Sequence, residues 1–212
     1  MKNPIIREVC IESIDQAKEA ERLGADRLEL CSNLHLEGLT PKMEDVYEII
    51  KIIQIPVKVM VRCRGGNFLY DDSEISKMEK EIDLLKSMGV KQIVLGALTA
   101  LNKIDQNAIT RLTNRASSMD VTFHKAIDYT CDILDQVGIL SKINGIKSIL
   151  TSGGEKNAEQ GSVTINQIIN KFGSRFKIIA AGSITKTNLG KLSKSIQTNE
   201  FHGKKIVGDL TV

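Results

Sequence analysis

Three segments of the chain share one grammar. Gly24-Ala-Asp-Arg-Leu-Glu-Leu, Gly89-Val-Lys-Gln-Ile-Val-Leu and Gly145-Ile-Lys-Ser-Ile-Leu each place a glycine, a short link and then an apolar strand core. A glycine at the end of a helical stretch terminates it, so each segment reads as a helix end running directly into a strand. The glycines are 65 and 56 residues apart, each interval being room for two strand-helix units of about 30 residues. These are therefore the second, fourth and sixth strands. Ile6–Glu12, Val57–Arg62, Asp120–Lys125, Lys177–Gly182 and a short segment near Glu200–His202 complete a set of eight.

The intervening segments carry helix signals. Ser13 with Gln16 makes a capping box ahead of Ala17, Ala20 and Leu23, and Asp71 with Glu74 makes another ahead of Ile75, Met78, Ile82 and Leu85. Thr40-Pro41 reads as an N-cap followed by proline at the first helical position, leading into Val46, Ile49, Ile50 and Ile53 until Pro56 breaks the run.

Strands that alternate with helices make a parallel sheet. An open parallel sheet covered on both faces should show nearly continuous apolar strands, and these alternate instead. Val9 and Ile11 share one face of the first strand, Glu8, Cys10 and Glu12 the other; Leu28 and Leu30 oppose Arg27, Glu29 and Cys31 in the second. A closed barrel resolves this, because helices cover only its outside and polar groups can line the inner mouth at the strand C-termini. The expected fold is thus α/β, a single (β/α)8 TIM-type barrel over residues 1–212. Its eighth helix is shortened or missing, since Gly203–Val212 is short and broken by glycine. The face left bare needs the chain's own tail or a second subunit over it, which makes a homo-oligomer the expectation.

Net charge is only +3 and aromatic residues make up 4% with no Trp, which disfavours nucleic acid as a partner. No apolar run is long enough for a bilayer and no signal-peptide pattern opens the chain, so the expected location is cytoplasmic. The cysteines at 10, 31, 63 and 131 lack Cys-x-x-Cys spacing and read as reduced thiols.

In a β/α barrel the chemistry sits on the loops after the strands. Glu8, Cys10, Glu29, Cys31, Arg62, Arg64, Thr122, His124 with Asp128 beyond it, Ser152, Gly153, Gly182, Ser183 and His202 all fall there. Buried charges must be paired or form a site, and Arg27 and Arg62 are the available partners for Glu8 and Glu29. Thr151-Ser-Gly-Gly154 and Ala181-Gly-Ser-Ile184 have the glycines of phosphate-type turns, giving an expected anion site of Arg62, Ser152, Gly153, Gly182 and Ser183. His124 is an acid-base candidate, or a satisfied core histidine. Cys10 and Cys31, on neighbouring strands, form a soft pair suited to Cu(I), or pack as small apolar residues.

Taken together, Glu-Val-Cys10, Gly-Ala-Asp-Arg-Leu-Glu-Leu-Cys31, Gly-Leu-Thr-Pro41, Arg-Cys-Arg-Gly-Gly-Asn-Phe68, Val-Thr-Phe-His124, Leu-Thr-Ser-Gly153 and Glu-Phe-His202 resemble the CutC family of copper homeostasis proteins along nearly the whole chain. The resemblance implies a β/α barrel, a cytoplasmic homo-oligomer, and Cu(I) ligation by Cys10 and Cys31. Three departures stand out: Cys63 replaces the usual proline of the Arg-Pro-Arg-Gly-Gly loop, Glu37 replaces a glycine, and the end of the chain is short. Two functions follow. One is a copper-binding protein; the other is an enzyme acting on a small anionic or sugar-like substrate, with Arg62 holding the anion and Glu29 and His124 as base and acid.

Overall fold

The computed structural model describes residues 4–210. Eight parallel strands close into a barrel in sequence order: β1 (Ile6–Ile11), β2 (Arg27–Leu30), β3 (Val57–Met60), β4 (Gln92–Leu95), β5 (Asp120–Phe123), β6 (Ile146–Thr151), β7 (Lys177–Ala180) and β8 (Glu200–His202). Seven helices connect them: α1 (Ile14–Arg22), α2 (Met43–Ile52), α3 (Asp72–Ser87), α4 (Gln106–Arg115), α5 (Ile133–Leu140), α6 (Ser162–Phe172) and α7 (Leu189–Ser195). Single 3-10 turns at Leu34–Leu36 and Lys125–Tyr129 follow β2 and β5.

The alternation seen in the sequence sorts residues as expected. Val9, Ile11, Leu28, Leu30 and Val59 face outward and are fully buried against Ala17, Ala20, Val46 and Ile49 of the helices. That continuous outer layer is the hydrophobic core. The interior is mixed. Cys31, Met60 and Val94 form one small apolar cluster there and Leu150, Ile179 and Ala181 another, while Glu8, Glu29, Lys58, Arg62, Thr122, His124 and Ser148 are buried polar residues between them.

Asp71 and Glu74 form the reciprocal capping box of α3. Ser13 accepts from the Gln16 N–H, but the Gln16 side chain bonds the N–H of Glu12 rather than that of Ser13. The helix expected from Thr40-Pro41 starts later, with Lys42 as N-cap. Thr40 is drawn away because its Oγ1 accepts the Arg62 N–H at 2.9 Å and lies 2.8 Å from a Glu81 carboxylate oxygen. That tie fixes the start of the loop carrying Arg62.

Beyond β8 the described residues form no helix. The tail crosses the bare face itself, with Ile206 and Val207 1% and 3% exposed. Gly203 permits the crossing: a Cβ there would stand 2.2 Å from the Ile184 carbonyl oxygen.

Candidate ligand and metal site at the barrel mouth

The strand order brings four interior charges to one seam. Glu8, fully buried on β1, meets Arg27 from β2, Lys58 from β3 at 2.9 Å, and Nδ1 of His202 from β8 at 2.9 Å. Arg27 also reaches Glu200 at 2.6 Å. Burial opposes ionisation of Glu8, but Lys58, His202 and Arg27 outweigh it and hold the carboxyl well below its usual range. Burial likewise opposes a charged His202, and Glu29 with Cys10 overcomes it, holding the imidazole well above its usual value. Glu29, whose Oε2 lies 3.7 Å from His202 Nε2, is pushed up, chiefly by burial. Of the two expected arginine partners only Arg27 takes part. Lys58 does the work assigned to Arg62, and its place in frame with Met60 and Arg62 in Val57-Lys-Val-Met-Val-Arg62 was the signal for it.

Above this seam lies a cavity of about 210 Å³ whose walls include Cys10, Glu29, Met60, Arg62, Phe68, His124, Lys125, Tyr129 and His202. Arg62, 1% exposed, gives Nη1 to the Leu36 and Gly38 carbonyls at 2.8 and 3.2 Å and Nη2 to that of Gly66 at 2.9 Å. It holds two mouth loops together and stands over the Phe68 ring at 4.7 Å. His124 packs on the same ring at 4.9 Å. Its Nδ1 accepts the Ala126 N–H at 3.2 Å, and burial, seconded by Arg62, lowers its pKa to about 3. This imidazole is neutral, with its proton on Nε2. The expected enzymatic trio of Glu29, His124 and Arg62 therefore lines one cavity.

The expected glycine-turn residues do not join it. Asp128 fills that role from inside the chain: its carboxylate accepts the N–H groups of Ser152 and Gly154 at 2.9 and 3.0 Å, the hydroxyls of Thr151 and Ser152, and the Lys125 ammonium. The Gly153 N–H turns to Thr151 Oγ1, the Gly182 carbonyl accepts from Ala158, and Ser183 sits at a φ of 55° with its carbonyl bonded to Asn188. None of Ser152, Gly153, Gly182 and Ser183 lines the Arg62 cavity.

The two cysteines lie on adjacent strands but not at one level. Cys10 pairs with Glu29 in the β1-β2 register, so Cys31 is one inward layer nearer the mouth. Cys10 lines the cavity, whereas Cys31 is 1% exposed and packs with Met60. Burial pushes the Cys31 thiol well up, and Glu29 and Cys10 add to it. Gly38 leaves room over this pair: a Cβ there would meet Cys31 Sγ at 3.1 Å and the Met60 methyl at 3.6 Å. Cys63 is apart, in the outer layer. Among the described residues the one clustered set of three metal-type ligands is Glu8, Glu29 and His202, and the ammonium and guanidinium already on Glu8 weigh against a cation there.

The sequence pattern described as the CutC family matches residues 5–207. The copper homeostasis protein cutC homolog of Homo sapiens is 38% identical over 94% of this chain and 73% of its own length; a family protein CutC of Pasteurella multocida is 35% identical over 92% of this chain and 80% of its own. A solved structure described as the copper homeostasis protein CutC of Streptococcus agalactiae superposes with a TM-score of 0.90 at 29% identity, covering 95% of this chain and 99% of that one. Phosphoribosyl anthranilate isomerase from Thermococcus kodakaraensis, at 16% identity and a TM-score of 0.62, shares the fold alone.

Proposed function

From the premise that this chain belongs to the CutC family, we propose that it serves copper homeostasis by binding Cu(I) at the barrel mouth through Cys10 and Cys31, with Met60 as a third sulfur donor. The supporting observation is that three soft donors stand on the inner side of adjacent strands near one mouth. Cys10 and Met60 share the cavity wall, and Cys31 packs on Met60 beneath Gly38. Thiolate and thioether sulfur select Cu(I) over harder cations. Cys10 is the entry ligand because it faces the cavity. Cys31 joins when the incoming ion displaces its proton to solvent, a cost that its buried site beside Glu29 makes larger than for an ordinary thiol. This reading places the protein in the cytoplasm, where thiols stay reduced.

An anaerobic Cu(I) titration against a competing chelator tests it, on the native chain and on Cys10→Ser, Cys31→Ser and Met60→Leu. About one Cu(I) per chain is expected. Affinity should fall most in Cys10→Ser and least in Met60→Leu. Unchanged affinity in both serine variants would make the thiols packing residues and end the proposal.

A further inference from the structure

The carboxylates and imidazole beside Cys10 have the composition of a metal site and hold a side-chain cation instead. Glu8, Glu29 and His202 are buried, and each offers one ligand atom within 4.8 Å of the other two. Two carboxylates and an imidazole are a ligand set for divalent cations of the first transition row. A way in exists as well, because Glu29 and His202 are among the walls of the mouth cavity.

The cation at this set is Lys58. Glu29 pairs with Cys10 on one side and with Lys58 on the other in the strand registers, so the three share one inward row. Lys58 Nζ comes within 2.9 Å of Glu8 Oε2 without the directional geometry of a hydrogen bond, the contact of a point charge. Burial opposes ionisation of Glu8 and Glu29, and this ammonium favours it in both. Arg27, by contrast, divides its guanidinium between Glu8 and Glu200. The buried seam thus sets Arg27, Lys58 and His202 against Glu8, Glu29 and Glu200. Without Lys58 one acid is left over, and an uncompensated buried charge draws a cation.

We propose that Lys58 sets the metal specificity of the inner mouth: its ammonium takes the place of a divalent cation at Glu8, Glu29 and His202 and keeps the cavity wall beside Cys10 closed to hard metals. A doubly charged ion brought next to the ammonium meets repulsion that a low-dielectric interior screens poorly. The role concerns oxygen and nitrogen ligands, so it holds whether or not the thiols take Cu(I).

Manganese(II) alone is the probe, because carboxylate oxygens suit it and thiols do not, and electron paramagnetic resonance counts the free ion. Native protein should show no binding that His202→Gln removes. Lys58→Gln, which keeps a polar side chain without the charge, should bind about one Mn(II) per chain at least about a hundredfold more tightly than native protein, as loss of one unit charge at this range requires. Lys58→Met should show the same gain, and Lys58→Arg, which keeps the charge, should show none. Adding His202→Gln to Lys58→Gln should abolish the gain. Thermal melts give a second reading: Mn(II) should stabilise Lys58→Gln and Lys58→Met and leave native protein unchanged, and a variant too unstable to fold alone should fold when Mn(II) is added. Native protein that binds Mn(II) through His202, or neutral Lys58 variants that gain neither affinity nor stability from it, overturn the proposal. Neither result bears on the copper titration, which reads Cys10 and Cys31.

Discussion

One carboxylate oxygen of Asp128 takes both the N–H and the hydroxyl of Ser152, each at 2.9 Å. With Gly154 and Thr151 on the other oxygen, this contact locks the turn after β5 to the turn after β6. A glycine-rich turn that could cradle a free anion cradles the chain's own carboxylate.

Asp128→Ala should therefore destabilise the protein by about 2–4 kcal/mol, because it strands the backbone N–H groups and hydroxyls of the turn after β6 at once and leaves the partly exposed Lys125 ammonium unpaired. Urea unfolding measures it. The emptied cradle should also bind sulfate, raising the melting temperature of the variant with added sulfate more than that of the native chain. A loss below about 1 kcal/mol would mean the two turns hold without this joint.

Gly96→Ala should cost about 1–3 kcal/mol by overpacking, since backbone and ring must separate to admit the methyl group. The readout specific to His124 is its NMR signature. In the variant the Nδ1 bond to Ala126 should weaken and the tautomer signal should broaden; an unchanged imidazole spectrum would show that the ring is not held by this contact.

His124 also sets a pH dependence. Its folded pKa, about 3, lies below the unfolded value of 6.5, so folding favours the neutral ring. That contribution is fully present above the unfolded pKa and is lost as pH falls from there toward the folded one. Between pH 7 and pH 5 native stability should drop by about 2 kcal/mol from this group. Denaturant unfolding of native protein and His124→Phe at both values checks it, and equal drops in the two would remove His124 as the cause.

Glu37 holds a φ of 68° and accepts from the Tyr129 hydroxyl at 3.0 Å, bridging the loops on either side of the cavity. Glu37→Gly should change stability by less than about 1 kcal/mol, because glycine relieves the left-handed backbone while the bridge is lost. Opening the bridge should speed iodoacetamide alkylation of Cys10 and leave Cys63, outside the cavity, at its native rate. Equal rates at Cys10 before and after would show that Glu37 and Tyr129 do not restrict the mouth.

The barrel and its inner face are legible in the amino-acid pattern. Period-two alternation put Glu8, Cys10, Glu29, Cys31 and Arg62 on one side of their strands, and glycine-to-strand junctions set the unit length. These are local properties, decided by backbone geometry and side-chain spacing. The tertiary structure alone decided who meets whom. The register set Cys10 opposite Glu29 rather than Cys31, a difference of one layer that alternation cannot see. Barrel closure brought His202 from the far end of the chain to Glu8, and loop packing sent Asp128 into the turn after β6. Lys58 rather than Arg62 neutralised Glu8 because it stands two inward layers lower, on β3, leaving Arg62 to the loop carbonyls. Charge pairing in a low-dielectric interior depends on distances of a few ångströms between segments remote in sequence, and only the closed barrel sets those distances.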